Sequence, residues 1–277
     1  MLVRVLIPIF VLLLPPASSS AQQSAPDRAG RSLMEVTAHT QEDDARILKL
    51  FEGLRVADVS DGMDAIGLAD VGLMDPAVRP LWKDVQTYAH RFIGIAVTAR
   101  YVPSQRGHAG RMATTQEYDA WAGAWYSKLS PEPFTDLLRP GSALVIDDAL
   151  DVDVGSIGSN NILLWKSRGM VGVVTNATAR DTDEIATQKV PLYFRHPGRG
   201  IRPGRNEIES VNRPVVVGGV LVMPGDVIVA DGDGVIVVPR AQAEAVARYA
   251  HQILDGDKEG RRKLYEKLGL PLDDSVK

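Results

Sequence analysis

Gly155 to Glu184, GSIGSNNILLWKSRGMVGVVTNATARDTDE, is the stretch around which the chain is organised. A glycine turn opens a short helix over Ser159 to Arg168, and Gly169 stops it. The apolar run from Val171 to Thr175 then reads as a buried strand, followed by a loop that carries Arg180, Asp181 and Glu184. A helix N-terminus offers unpaired backbone N–H groups to an anion, and the strand beside it delivers a guanidinium and a carboxylate to one edge. These are the parts of a metal-assisted site for a small carboxylate substrate.

On either side the chain alternates between short strands and helices. Pro140-Gly141 introduces a strand, Ser142 to Ile146, that ends at Asp147-Asp148 and runs into the central stretch. Downstream, Val190 to Phe194 is another short strand. The loop from Arg195 to Arg205 carries Arg195, Arg199, Arg202 and Arg205, and suits either an anionic substrate or a solvated or interface surface. Three strands follow, Pro214 to Val222, Val227 to Ala230 and Val235 to Val238, separated by Pro224-Gly225-Asp226 and Asp231-Gly232-Asp233-Gly234. The second separator lacks the later glutamate of a calcium loop and reads as a turn. Arg240 to Leu254 is an amphipathic helix, with a charged tail helix after it.

Before the central stretch, Gln41 to Leu54 has Ile47, Leu48, Phe51 and Leu54 on one helical face. A second short helix begins at Val56, capped by Asp58 or Ser60 and ended by Gly67. Its Asp58, Asp61 and Asp64 read as caps and solvated surface rather than as metal ligands. Gly94 to Tyr101 alternates like a half-buried strand, and Pro103 ends it. The segment from Ser104 to Phe134 reads as an insertion, with Tyr118, Trp121 and Trp125 at a helical spacing that points to packing.

Composition narrows the function classes. With 277 residues, 45% hydrophobic, 24% charged and a net charge of −4, the chain suits one soluble domain or a domain with an insertion, and no basic excess points to nucleic acid. The absence of cysteine excludes disulfides, thiolate zinc sites and a cysteine nucleophile. There is no G-x-S-x-G elbow, and His39, His90, His108, His196 and His251 are scattered, which argues against a hydrolase. Arg4, the apolar run Val5 to Leu14 and the small residues from Ala17 to Ala21 predict an export signal over residues 1–21. That run is too short for a bilayer span, so no membrane anchor is expected after cleavage, and the protein is expected to be periplasmic or secreted. Residues 22–40 read as a disordered leader, 41–256 as the domain with its insertion at about 104–135, and 257–277 as the charged tail.

VSDGMDAIG, GIAVTAR, Gly158 with Arg180-Asp181 and Glu184 beyond it, and PVVVGGVLVMPGDVIVADGDGVIVVP together resemble the family of 4-hydroxy-4-methyl-2-oxoglutarate aldolases and regulators of ribonuclease activity A, the RraA-like proteins. The resemblance runs from about Leu48 to Leu254. It implies a layered α/β/β/α domain of the swivelling type, assembled as a homotrimer or hexamer with sites between subunits. It also implies a small α-keto acid substrate and a divalent cation, Mg²⁺ or Mn²⁺. Arg180 matches the family's substrate-binding arginine and Asp181 its metal-binding aspartate. Gly158, Ser159, Asn160 and Asn161 match the loop whose backbone holds the substrate carboxylate. The activity implied is retro-aldol cleavage or oxaloacetate decarboxylation through a pyruvate enolate; the alternative is a non-catalytic binding module like the ribonuclease regulators. Two positions depart from the pattern: Ser159 stands where family aldolases often have an acidic residue, and Asn176 replaces a frequent aspartate.

Overall fold

A computed structural model describes residues 32–107, 109–148, 153–273 and 275–276. The expected export signal and most of the leader lie outside the described residues. Residues 36–277 form the unit discussed here. Its strands are β1 (Arg79–Pro80), β2 (Phe92–Pro103), β3 (Ser142–Asp147), β4 (Gly155–Ile157), β5 (Met170–Thr175), β6 (Thr178–Ala179), β7 (Leu192–Phe194), β8 (His196–Pro197), β9 (Asn206–Val211), β10 (Val215–Val217), β11 (Val220–Val222), β12 (Val227–Asp231) and β13 (Gly234–Val238). Its α-helices are α1 (Gln41–Leu50), α2 (Val56–Ala65), α3 (Thr115–Lys128), α4 (Ser159–Ser167), α5 (Thr182–Thr187) and α6 (Ala243–Leu268).

Alternation along the strands sets the layers, because successive side chains point to opposite faces of a sheet. The main sheet runs β1-β7-β5-β3-β2-β12-β13, with β2, β3, β5 and β7 parallel and β12 and β13 antiparallel. In β3, Ala143 and Val145 face one way while Leu144 and Ile146 face the other. The first face lines an inner core, where Phe92, Ile228 and Val237 meet the β10–β11 hairpin through Val215, Val217, Val220 and Val222. Leu73, just ahead of β1, bridges to Ile236 of β13, so the sheet curls until its two edges nearly meet. Helices cover the outside of both halves. α1, α2 and α6 pack on Ile95, Val227, Val229 and Val238, and α4 and α5 pack through Ile162, Trp165 and Ile185 on Leu144, Ile146 and Val173. Two helical layers outside two facing halves of a curled sheet are the α/β/β/α arrangement expected.

Several boundaries differ from the sequence reading. Pro214 to Val222 is two strands rather than one, since Gly218 and Gly219 adopt positive φ (57° and 79°) and turn the chain into a hairpin. Residues Thr182–Thr187, read as loop, form α5, which is too short to show a helical period. The amphipathic helix and the tail helix are one continuous helix of 26 residues. β9 was not foreseen; its polar alternation, NEIESV, follows from its being a half-exposed strand on the second half of β2. In the insertion, only Trp125 of the aromatic stripe is buried, donating from Nε1 to Asn206 O at 2.9 Å, while Tyr118 is exposed. Among the described residues no helix is long and apolar enough to cross a membrane.

Asp44 ties three elements together. Buried on α1, it accepts from Arg139 Nε at 3.0 Å, at the entry to β3, and from Arg240 Nη1 at 2.8 Å, ahead of α6. Asp44→Ala would leave two guanidinium groups without their shared carboxylate. The expected loss in urea denaturation is roughly 3 kcal/mol, the low end for breaking a buried pair because Arg139 is a third exposed. A loss below about 1 kcal/mol would show that the pairing is a surface contact.

Candidate active site

The site is built where β3, β5 and the small β4-β6-β8 sheet end together. β6 pairs with β4 in parallel, and Arg180 N donates to Ile157 O at 2.8 Å, so the residue after β6 is pinned beside the start of α4. Gly155 makes this approach possible: a Cβ there would fall 2.5 Å from Arg180 Cβ, so the arginine stem lies directly over the glycine backbone. Asp181 then takes a left-handed backbone (φ 56°, ψ 38°), which an aspartate tolerates better than most residues. That turn sends its carboxylate back to α4, where Oδ2 accepts from Ser159 N at 3.1 Å and from Ser159 Oγ at 3.2 Å. Arg180 Nε lies 3.8 Å from Asp181 Oδ1, and both side chains are a little over a third exposed.

Gly158 is the N-cap of α4, and the space above it is where the groups converge. A Cβ on Gly158 would meet Asp181 Oδ2 at 3.0 Å, Asn161 Oδ1 at 3.6 Å and Arg180 Nε at 3.8 Å. The first-turn N–H groups of Asn160 and Asn161 have no intrahelical acceptor. The structure thus brings together Arg180, Asp181, Gly158, Ser159 and Asn161, with Asn160 exposed beside them. It leaves Glu184 out, exposed on α5. Asp58 is buried and bonded to Arg55, and Asp61 and Asp64 stay at or near the surface, as caps and surface residues do.

For a divalent cation the donors present are oxygens only: one carboxylate, Asp181, and the Asn161 amide, around a cradle that a single Cβ would fill. Among the described residues no three or more His, Cys, Asp or Glu come together in a way that could hold a metal ion. That set fits Mg²⁺ or Mn²⁺ retaining most of its waters, and does not fit zinc.

Glu132, to which the sequence did not point, holds this arrangement together with Arg202 of the basic loop, which turns inward rather than facing a substrate or solvent. Glu132, just ahead of the 3₁₀ turn at Pro133–Leu137, accepts from Asn161 Nδ2 at 2.6 Å and from Trp165 Nε1 at 2.8 Å, and is paired with the buried Arg202. Arg202 in turn donates to Tyr101 OH at 2.7 Å and Ser130 O at 3.2 Å, with Tyr126 packed against it. By engaging the Asn161 amide nitrogen, Glu132 leaves Oδ1 to face Gly158. No periodicity or spacing in the sequence links Glu132 to Asn161. The basic loop is likewise tied down within the chain, Arg195 to Asp75 and Arg199 to Asp153. Asn176 donates to Asp147 Oδ1 at 3.1 Å and Val216 O at 3.2 Å, and accepts from Asp148 N at 3.1 Å. An aspartate there would set a second carboxylate against Asp147, so the amide serves a crosslink between strand ends.

With fold and geometry in place, comparison with known proteins assigns the class. A family model described as RraA-like, Aldolase/RraA, matches residues 56–237, and the chain belongs to that family. A Halalkalibacterium halodurans protein named "Putative 4-hydroxy-4-methyl-2-oxoglutarate aldolase" is 33% identical over 125 residues, which are 45% of this chain and 58% of that one. The match thus spans little more than half the length of that relative. Two solved structures share the fold. One is an uncharacterized protein from Pseudomonas syringae pv. tomato, with TM-score 0.62, 24% identity, and 84% of this chain and 98% of that chain covered. The other is RraAS2 of Streptomyces coelicolor, described as an unusual member of the RNase ES inhibitor RraA family, with TM-score 0.61, 21% identity, and 79% and 96% covered.

Asp148 lies beneath the site, buried, with Oδ2 bonded to Ser156 and to Asn206 Nδ2 (2.8 Å) while Oδ1 has no partner among the described residues. Burial pushes its carboxyl up to about 6 despite those hydrogen bonds. The native state therefore holds a proton that the unfolded chain has released. Stability falls as pH rises from about 4 to 6, and the loss is complete above that window. Asp148→Asn should match the parent near pH 3.5 and exceed it by roughly 2–3 kcal/mol at pH 7.5 in urea denaturation. A variant less stable than the parent at pH 7.5 would contradict this account.

Proposed function

We propose that the chain is a divalent-metal-dependent carbon–carbon lyase acting on small α-keto acids, with oxaloacetate decarboxylation as the reaction its residues suit best. One observation carries the reading: Arg180, Asp181, Asn161 and the N-terminus of α4 all border the cradle above Gly158. The substrate carboxylate meets the Asn160 and Asn161 N–H groups at the positive end of α4. Arg180 offers its planar N–H groups to the keto oxygen, where negative charge grows as the bond breaks. Asp181 and Asn161 would hold the cation, which when bound supplies Lewis-acid polarisation of the keto acid. In decarboxylation the electron pair of the C3–C4 bond moves toward C2 and its oxygen as CO₂ leaves, and the resulting pyruvate enolate takes a proton at C3.

Retro-aldol cleavage additionally needs a base for the substrate hydroxyl, and here the residue after Gly158 does not supply one. The Ser159 hydroxyl is within bonding distance of Asp181 as its donor, and a neutral hydroxyl with a pKa far above neutrality is a poor proton acceptor. The partly exposed Arg180 and Asp181 leave room for a second copy, in keeping with a trimer or hexamer whose sites lie between subunits, and the export signal expected from the sequence favours the periplasm or the outside of the cell for this chemistry.

Pyruvate release from oxaloacetate is the test, measured with Mg²⁺ or Mn²⁺ and with a chelator. Activity should require the metal, and Arg180→Lys, which loses the planar two-point grip, should lower kcat/KM by about two orders of magnitude. Metal-independent release, or a lysine variant as active as the parent, would sink the proposal.

A further inference from the structure

Two cavities open at the end of the parallel strands opposite Arg180, where β2, β3 and β5 begin. One, about 550 Å³, has Leu48, Leu54, Phe92, Ile93 and Val171 as its apolar wall, with Lys49, Glu52, Arg91 and Asp231 also in its lining. The other, about 490 Å³, is walled by Arg55, Tyr88, Arg91, Lys258, Arg261 and Tyr265. Gly53 and Arg91 line both, so the two chambers adjoin. Each has the size of a metabolite site, for which roughly 300–1,000 Å³ is usual.

Among the described residues, the second chamber's lining gathers four cations and no carboxylate, in a chain whose formal net charge is −4. Arg55 is answered by Asp58 at 2.9 Å and Asp257 at 3.8 Å. Arg91 rests on the Tyr88 ring, 3.7 Å from its centroid, Arg261 gives one N–H to Ser275 O at 2.8 Å, and no carboxylate among the described residues pairs with Arg91, Lys258 or Arg261. Holding like charges together costs energy that a bound anion offsets. Guanidinium forks beside an ammonium match the oxygens of a phosphate, and phenol rings with the apolar wall of the adjoining chamber match an organic substituent.

We propose that the paired chambers bind a small organic phosphate, its head among Arg91, Lys258 and Arg261 and its apolar body toward Leu54 and Phe92. This site is separate from the keto-acid site and stands whether or not that reading holds. Calorimetric titration of the full chain with phenyl phosphate and with inorganic phosphate tests it. Phenyl phosphate should saturate one site per chain and bind more tightly than phosphate. Arg91→Gln with Lys258→Gln should weaken it by about tenfold or more with the melting temperature kept, and Arg180→Gln should leave it unchanged. Absence of saturable binding, equal affinity for the two probes, or weakening by Arg180→Gln instead would each overturn the proposal.

Discussion

The hydrogen bonds from the first residue of α4 to the Asp181 carboxylate are the contact on which the site depends. They require Asp181 to leave β6 in a left-handed conformation, a sparsely populated backbone state that persists only where its surroundings hold it. The surroundings here are the β4–β6 pairing, the Arg180 N–H bond to Ile157 and the bare backbone of Gly155 under the Arg180 stem. Negative charge at a helix N-terminus is favourable in itself. The same carboxylate that caps α4 is therefore held beside Arg180 and the first turn of α4.

Behind this contact lies a buried clamp. Arg202 is almost fully enclosed, and its charge is answered by Glu132, with Tyr101 and the Ser130 carbonyl taking further N–H groups. Removing either partner would strand a buried charge, which is why such pairs hold geometry firmly even when they add little net stability. Glu132 reaches α4 from the end of the inserted segment and fixes the Asn161 amide by its nitrogen. The insertion is thus a support for the first turn of α4, anchored through Trp125 on β9 and through the Phe134 ring on Trp165.

Much of the fold was legible because its signals are local. Apolar runs bounded by glycine gave β3, β5, β12 and β13, and apolar periodicity gave α1 and the first half of α6. Val215 to Val222 misled because valines on both sides of Gly218-Gly219 read as one run, whereas two positive φ values reverse it. At the site, Arg180-Asp181 and the turn before α4 were readable as chemistry at the end of a strand. What joins them was not: the left-handed Asp181 is a backbone state, and Glu132 meets Asn161 and Arg202 across distant sequence. Contacts of that kind depend on how the layers close, which neither period nor motif encodes.

On the proposed function, Asp181, placed across the N-terminus of α4, is the carboxylate that holds the cation. Titration of Mn²⁺ into the parent and into Asp181→Asn, followed by electron paramagnetic resonance of the free ion, measures it directly without reference to any substrate. The account predicts stoichiometric uptake by the parent and a loss of affinity of roughly ten- to a hundredfold or more in the amide variant. Equal uptake by the two proteins would place the metal elsewhere and contradict it.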